Sequence, residues 1–156
     1  MKSIILIHFL LVSLTGLTQT DSSIVKFINP PSSSGPKSYS QAVTIDLGNC
    51  KMVIISGQVA LDDQGNLIGK GDMAKQTEQV FLNIKKIVTD LGGTMDNIVK
   101  TGIFMVDASQ VQAFRDTRNK FINLKTPPCS TLIHVNKLFS DDILLEIEAT
   151  AIIPKM

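Results

Sequence analysis

The chain has very few of the residues that build metal centres and disulfide scaffolds. Its 156 residues include two Cys and two His, and the formal net charge is only +1. One pair of cysteines, Cys50 and Cys129, allows a single disulfide or none, which excludes a disulfide-stabilised scaffold. The histidines, His8 and His134, have no further ligands at a metal-binding spacing, so no metal site is predicted. The near balance of interspersed charges excludes a general attraction to nucleic acid or to anionic membranes.

The rest of the composition is that of an ordinary globular protein. Hydrophobic residues make up 44% of the chain and charged residues 19%, close to the averages for soluble domains. A chain of this length is expected to form one domain that buries its own core.

The N-terminal segment 1–19 differs in composition from the rest of the chain. Lys2 precedes an apolar run, Ile4–Leu14, and small residues come after it at Gly16 and Thr18, which is the pattern of a secretory signal peptide. The run is also shorter than the ~20 residues of a membrane span. We therefore predict a signal peptide at 1–19 and a secreted or periplasmic protein, without stable membrane association after cleavage. An uncleaved anchor or a misplaced start is the alternative.

A Ser/Pro-rich stretch separates this segment from the predicted domain. Residues 20–38 include NPPSSSGPKS, which has little to bury, and are predicted to form a flexible arm. The domain is placed at 39–154. It opens with two short β-branched runs, Gln41–Asp46 and Met52–Ser56, separated by the turn residues Leu47-Gly48-Asn49, which predicts a β-hairpin.

Two segments in the middle of the chain predict helices. Asp72 is suited to cap a helix with apolar residues at helical spacing, and Gly92-Gly93 is suited to end it. A second, shorter helix is predicted over Gln110–Ile122. Between them, Ile98–Val106 is mostly apolar and β-branched, as in a strand buried on both faces.

The C-terminal segment carries the clearest strand pattern. After the rigid pair Pro127-Pro128, a strand is predicted over Cys129–Val135. Ile143–Ile153 then alternates strictly between apolar residues and a polar set formed by Glu146, Glu148 and Thr150. Such alternation predicts a strand that packs on a core with one face and presents two carboxylates on the other.

The element order favours an α+β fold. With an optional strand within Gln58–Ile68, the order is β-β-(β)-α-β-α-β-β, which predicts two helices on one face of a largely antiparallel sheet. No remaining segment is large enough to cover the other sheet face, so we expect the protein to form an oligomer.

Two arginines lie on the apolar stripe of the second predicted helix. Arg115 and Arg118 follow Val111 at i+4 and i+7. Either their stems lie flat over the core while their heads reach water, or at least one guanidinium points into a site.

Five segments of the predicted domain carry recognisable motifs. They are GPKSYSQAV (Gly35–Val43), IISGQVALD (Ile54–Asp62), QTEQVFLNIKKIVTDLGG (Gln76–Gly93), IVKTGIFMVD (Ile98–Asp107) and EIEATAI (Glu146–Ile152). Each is weak alone, but in this order and spacing they resemble the RidA/YjgF family, also called endoribonuclease L-PSP. The resemblance extends from Gly35 to Ile153.

The resemblance implies a chorismate-mutase-like (RidA-like) fold and a homotrimer with a small-molecule ligand in each inter-subunit cleft. It also implies hydrolytic deamination of reactive enamines and imines to 2-keto acids and ammonia, without a cofactor. By motif position, Tyr39, Ser56 and Glu146 line the cleft, and Glu146 orients or activates a water. This chemistry needs a carboxylate to accept a proton and a cation to hold the substrate carboxylate.

The chain departs from the family pattern at the expected cation. Deaminating members have an Arg before the Ser of a P-x-R-S motif, whereas Cys129 stands there in this chain, and Thr131 replaces the family's usual Cys. A thiol cannot form the bidentate charged pair that an Arg forms with a carboxylate. Arg115 stands where the second helix of the family often has Asn. Either the cleft no longer binds an imino acid, or Arg115 restores the cation.

Other chemistry for these residues is weaker. Cys129 is either a reactive thiol without a paired His or a small, partly buried side chain, and Glu148 is either half of a carboxylate pair or part of a solvated face. Ribonuclease action is not predicted, because the chain has no basic patch and no pair of histidines for acid–base catalysis. A deaminase of altered or reduced activity, a non-catalytic binding trimer and an interaction scaffold remain the three alternatives.

Overall fold

A computed structural model describes residues 23–29 and 38–155. The predicted signal peptide at 1–19 lies outside these residues, as does much of the predicted arm at 20–38. The described part of the arm contains a short strand, β1 (Val25–Ile28). The sheet therefore begins before Tyr39, where the sequence had placed the start of the domain. No helix of the described ranges has both the length and the apolar character needed to cross a membrane.

Within the described residues, a six-stranded sheet carries two α-helices on one face. The other strands and the α-helices are β2 (Ala42–Asp46), β3 (Cys50–Gln58), α1 (Met73–Asp90), β4 (Ile98–Met105), α2 (Val111–Arg118), β5 (Cys129–His134) and β6 (Leu145–Pro154). The strand order is β1-β2-β3-β6-β4-β5. Neighbouring strands are antiparallel except β4 and β5, which run parallel with α2 in the crossover between them. The predicted α+β architecture is confirmed.

The β2–β3 hairpin forms where its turn residues predicted it. Gly48 has a φ of +86°, a conformation that glycine adopts without strain, and its amide donates to Asp46 Oδ1 at 2.8 Å. The optional strand predicted within Gln58–Ile68 is not present, because after the end of β3 that segment forms only an isolated bridge between Leu61 and Leu67.

Helix α1 has the ends that its sequence predicted. Asp72 accepts a hydrogen bond from the Lys75 amide at 3.0 Å, which satisfies a donor of the first turn. At the other end, Gly92 has a φ of +79° and its amide donates to the Thr89 carbonyl at 2.8 Å, as in a left-handed cap. The helix buries a face rich in large apolar residues: Met73, Val80, Phe81, Ile84, Ile87 and Val88.

Helix α2 is shorter than the predicted Gln110–Ile122, since it ends at Arg118. Its buried residues are Phe114 and Thr117. Arg115 is exposed, so the core-facing side of the helix is narrower than the stripe seen in the sequence, and Arg115 lies outside it.

The core lies between the helices and one face of the sheet. The inward residues of β6 are all buried: Leu145, Ile147, Ala149, Ala151 and Ile153. Full burial of one large aliphatic side chain contributes about 1.5–3 kcal/mol. The same alternation turns Glu146, Glu148 and Thr150 to the other face, as the sequence predicted.

A buried glutamine joins α1 to the segment that enters β6. Gln76 Nε2 donates to the carbonyls of Asp142 at 2.7 Å and Gly69 at 3.2 Å. Its Oε1 accepts from the Leu144 amide at 2.9 Å. Since these polar groups are satisfied inside the protein, Gln76 fixes the path of the chain just before Glu146.

Candidate active site on the helix-free face of the sheet

The candidate site lies on the sheet face that carries no helix, called the helix-free face below. One row of paired residues crosses all six strands on this face: Phe27, Val43, Ile54, Thr150, Lys100 and Cys129. The first three are apolar and the last three are polar or small. The face therefore has an apolar half on β1, β2 and β3, and a polar half on β6, β4 and β5.

Glu146 extends from β6 toward β3 and lies over Gly57. A Cβ atom on Gly57 would be 2.7 Å from Glu146 Cδ, so the carboxyl group occupies space that only glycine leaves open. The side chain is half-buried. Burial, followed by the charge of Glu148, raises the pKa of Glu146 above its ordinary value of 4.5, because both disfavour the ionised form.

Glu148 extends in the other direction, toward β4. It lies over Gly102, where an added Cβ would be 2.7 Å from Glu148 Oε1, and it is exposed. The two carboxylates therefore lie over glycines of opposite neighbouring strands. The raised pKa makes the half-buried Glu146 carboxylate a stronger base, so Glu146 is the candidate general base of this face.

Ser56 lies next to Gly57, over which Glu146 extends, and is bonded to the segment that carries Tyr39. Ser56 Oγ donates to the Ser40 carbonyl at 2.6 Å, which holds the segment that carries Tyr39 beside β3. Tyr39 is 49% exposed. Since Ser56 directly precedes Gly57, the structure brings together the segments of the three residues that the sequence assigned to one cleft.

Cys129 and Thr131 lie on the edge strand β5, with β4 between them and β6. Thr131 pairs with Gly102, and Cys129 pairs with Lys100. Cys129 is a free thiol, as is Cys50. Lys100 is exposed, so its ammonium group lies on the strand next to Cys129, at the paired position.

Arg115 lies apart from these residues within one chain. Helix α2 packs on the sheet face that carries both helices, called the helix-covered side below, where Phe114 belongs to the core. Arg115 points away from that core toward solvent. Arg115 and Glu146 therefore lie on opposite sides of the sheet. A contact between them would require Glu146 of another copy.

Three residues of the candidate site were not predicted from the sequence. Gly57 provides the space for Glu146; a glycine within a strand often marks such a close approach. Gln58, which is buried, donates to the Ser56 carbonyl at 2.9 Å and to Gln41 Oε1 at 3.2 Å, so it fixes the backbone around Ser56. The position of Lys100 across from Cys129 depends on the pairing of β4 with β5, which the local sequence does not encode.

The grouped side chains can carry acid–base chemistry. Glu146 can accept a proton. Ser56 has its hydroxyl hydrogen engaged with Ser40, so its lone pairs are left to accept a hydrogen bond. In the described ranges, no group of three or more His, Cys, Asp or Glu side chains is placed to hold a metal ion.

Comparison with known proteins gives a family. Residues 29–153 match the family model described as Endoribonuclease L-PSP. The chain is 34% identical over 126 residues to the 2-iminobutanoate/2-iminopropanoate deaminase of Salmonella typhimurium, which covers 80% of this chain and 92% of that protein. A RutC family protein of Pyrococcus horikoshii is 32% identical over 123 residues, covering 79% of this chain and 91% of the relative.

Solved structures show the same fold. Yeast Mmf1 superposes with a TM-score of 0.72 at 26% identity, covering 84% of this chain and 99% of that one. RidA from the Antarctic bacterium Psychrobacter sp. gives a TM-score of 0.70 at 28% identity, covering 82% and 99%. The family model, the relatives above 30% identity and these structures together show that the chain belongs to the RidA/YjgF family, the family of endoribonuclease L-PSP.

Proposed function

We propose that the protein hydrolyses small enamines or imines derived from amino acids, giving 2-keto acids and ammonia, in clefts between copies of the chain. The observation that carries this proposal is the half-buried Glu146, whose pKa is raised by burial and by Glu148, and which lies over Gly57 next to Ser56. The relative from Salmonella typhimurium, named as a 2-iminobutanoate/2-iminopropanoate deaminase, supports the same reaction class.

In the proposed reaction, Glu146 takes a proton from water while the water oxygen bonds to the iminium carbon. The π electrons of the C=N bond move to nitrogen, which gives a carbinolamine. Glu146 returns its proton to that nitrogen and the C–N bond breaks. The hydroxyl oxygen then forms the C=O bond and passes its proton through Glu146 to the departing ammonia. Glu146 finishes as it began, and the reaction needs no redox partner.

Ser56 has a matching role in this proposal. Its hydroxyl hydrogen is donated to the Ser40 carbonyl, so the oxygen faces the cleft as an acceptor. An iminium N–H is a strong, charge-assisted donor. We assign Ser56 to accept this hydrogen bond and Tyr39 to bound the cleft beside it.

The substrate carboxylate requires a cation, and Cys129 cannot supply one. We assign Lys100, which pairs with Cys129 in the strand register and is exposed on the same face. A lysine offers a point charge rather than the planar guanidinium of an arginine, so we expect weaker substrate binding or altered specificity. We place Thr131 beside Lys100 in the cleft. Arg115 of another copy is the alternative. Lys100→Met and Arg115→Ala distinguish the two, because the variant that removes the anchoring cation raises KM.

We propose a homotrimer as the assembly that closes the clefts. The support is the apolar half of the helix-free face, where Phe27 is 72% and Ile54 is 45% exposed; a connected apolar patch of this kind is typical of an interface. Ile54→Glu is expected to dissociate the assembly in sedimentation experiments. Leu82→Glu is the matched control, since Leu82 is 44% exposed but lies on α1. A wild-type monomer would contradict the assembly.

Freshly generated 2-aminoacrylate tests the activity directly. The protein is expected to accelerate formation of the keto acid over the buffer rate, and 2-iminobutanoate extends the test to the substrate of the named relative. Absence of acceleration with a correctly assembled oligomer would contradict the deaminase proposal.

Cys129 favours a second candidate, a non-catalytic trimer that binds a small molecule in the same clefts. Without a guanidinium, the substrate carboxylate loses its bidentate partner. In this case 2-keto acids would bind, as followed by calorimetry, while the hydrolysis rate stayed at the buffer level.

We also propose export, directed by segment 1–19. The support is the sequence pattern of a charged start, an apolar run and small residues. Expression of the full chain in a bacterial host, followed by mass spectrometry of the periplasmic protein, should find an N-terminus near Gln19. Recovery of the intact chain from the cytoplasm would contradict this proposal.

A further inference from the structure

A separate pocket lies on the helix-covered side of the sheet, behind β5. Its volume is about 290 Å³, and its walls include Phe81 of α1, Leu124 and the pair Pro127-Pro128. Cavities that bind drug-sized molecules begin near this volume, so the pocket suits a smaller ligand. It is distinct from the Glu146 cleft, because Glu146 lies on the opposite face of the sheet.

Arg118 is the charged group of this pocket. It lies at the end of α2, half-buried, with its guanidinium carbon 5.7 Å from the centre of the Phe114 ring. Its Nε and one terminal nitrogen donate to Asn119 Oδ1 at 3.3 and 2.9 Å. Within the described ranges it forms no ion pair with a carboxylate, so an anion can bind its remaining donors.

The surrounding charges also favour an anion. Burial, followed by the nearby charge of Arg115, lowers the pKa of Arg118. Asp116, the acidic residue of α2, accepts a hydrogen bond from Gln112 at 2.8 Å instead of pairing with either arginine. Two guanidinium groups that repel each other are both stabilised by one bound negative charge.

A pair of hydroxyl groups lines the pocket on the sheet side. Thr101 Oγ1 donates to Ser130 Oγ at 3.2 Å, which links β4 to β5. The bond uses one of the two hydroxyl hydrogens of this pair, which leaves one hydrogen for a ligand atom. The polar groups are thus a guanidinium and a hydroxyl donor, while the walls are aromatic, aliphatic and proline surfaces.

We infer that this pocket binds a small organic carboxylate, with the carboxylate on Arg118 and Ser130 and the apolar part against Phe81 and Leu124. A planar guanidinium matches the two oxygens of a carboxylate. The apolar walls exclude a fully polar anion as the preferred ligand, because burying polar groups without partners is unfavourable.

Titration of the full chain with butanoate tests this site. Binding in the millimolar range is expected from the small size of the ligand, with shifts of the Thr101 and Ser130 amide signals in NMR spectra. Butanamide has nearly the same shape without the charge, and inorganic phosphate has the charge without the apolar part. Both are expected to bind more weakly than butanoate.

Variants locate the ligand. Arg118→Gln is expected to weaken butanoate binding by about tenfold. A larger loss is not expected, because the guanidinium is partly exposed to solvent. Arg118→Lys keeps the charge and should recover part of the affinity. Lys120→Gln makes the same change in charge at an exposed residue outside the pocket and should leave binding unchanged. Glu146→Gln should also leave it unchanged, which separates this site from the proposed deaminase cleft.

Two results would overturn the inference. One is the absence of butanoate-dependent shifts at Thr101 and Ser130 in the folded wild-type protein. The other is equal affinity for butanoate in wild type, Arg118→Gln and Lys120→Gln, which would leave Arg118 with only a packing role over Phe114.

Discussion

The two faces of the sheet are built from the same strands but meet different surroundings. Ile55 and Ile147 point to the helices and are almost fully buried. Their neighbours Ile54 and Glu146 point to the helix-free face, where Ile54 is 45% exposed and Glu146 half-buried. One step along a strand thus moves a side chain from a dry core to an open face.

The difference shows how the fold separates stability from chemistry. The helix-covered face supplies the apolar burial that stabilises the domain. The helix-free face retains carboxylates whose desolvation would be costly inside that core. Glu146 is intermediate, because it is buried enough for a raised pKa but keeps access to the open face.

The largest expected effect is on the helix-free face. Glu146→Gln removes the proposed base and should lower kcat for 2-aminoacrylate hydrolysis by about 10²–10⁴-fold, with an unchanged circular dichroism spectrum. Glu148→Gln is the matched control: it removes an exposed carboxylate on the same strand and should have a much smaller effect. Equal losses in the two variants would show that the carboxylates do not differ in role.

The second prediction compares neighbouring residues of β3. Ile55→Ala leaves a cavity in the core and should lower the free energy of unfolding by about 2–5 kcal/mol. Ile54→Ala should cost less than about 1 kcal/mol in the folding of one chain but weaken the assembly. Chemical denaturation and sedimentation measure the two effects. A similar loss of folding stability in both variants would remove the distinction between the faces.

The third prediction concerns the glycines under the carboxylates. In Gly57→Ala the new Cβ would lie 2.7 Å from Glu146 Cδ, so the carboxyl group must move, which should reduce kcat by about 10- to 100-fold. The melting temperature should change little, since a side-chain end can move. Gly102→Ala displaces Glu148 in the same way and is the control. Full activity of Gly57→Ala would show that the placement of Glu146 does not matter.

The smallest expected effect is a pH dependence of stability. The folded protein binds the Glu146 proton more tightly than the unfolded chain, because burial and Glu148 raise this pKa. The stabilisation of the folded state by this tighter proton binding is complete below the ordinary pKa of 4.5. It is lost as pH rises through the raised pKa of Glu146 in the folded protein. Glu146→Gln should therefore melt higher than wild type at neutral pH, with the difference vanishing in acid. A difference that does not depend on pH would contradict the shift.

Much of the fold was predictable because its signals are local. Asp72 and Gly92 mark the ends of α1, Gly48 marks the hairpin turn, and the alternation of β6 assigns Glu146 to the open face. The secondary-structure predictions were wrong where the local sequence carries no pattern for the element that forms. The strand β1 lies in a stretch predicted to be an arm, and it forms by pairing with β2.

The site was predictable only in part, for the same reason. Motif positions assigned Tyr39, Ser56 and Glu146 to one cleft, which stays a prediction; the fold bonds Ser56 to the segment of Tyr39 and places Glu146 over Gly57. The neighbours Gly57 and Lys100 depend on which strands lie side by side. The exposed position of Arg115 depends on where α2 ends and which of its sides packs on α1.

The sequence alone determined most of the helices and strands, the family resemblance and the alternation that separates apolar residues from carboxylates. Capping, turn formation and period-two patterning act between near neighbours in the chain. Tertiary structure decided which groups meet: Glu146 with Gly57, Cys129 with Lys100, and Arg118 with Ser130 around a pocket. These contacts join distant parts of the chain, and the burial that raises the pKa of Glu146 exists only after the strands have paired.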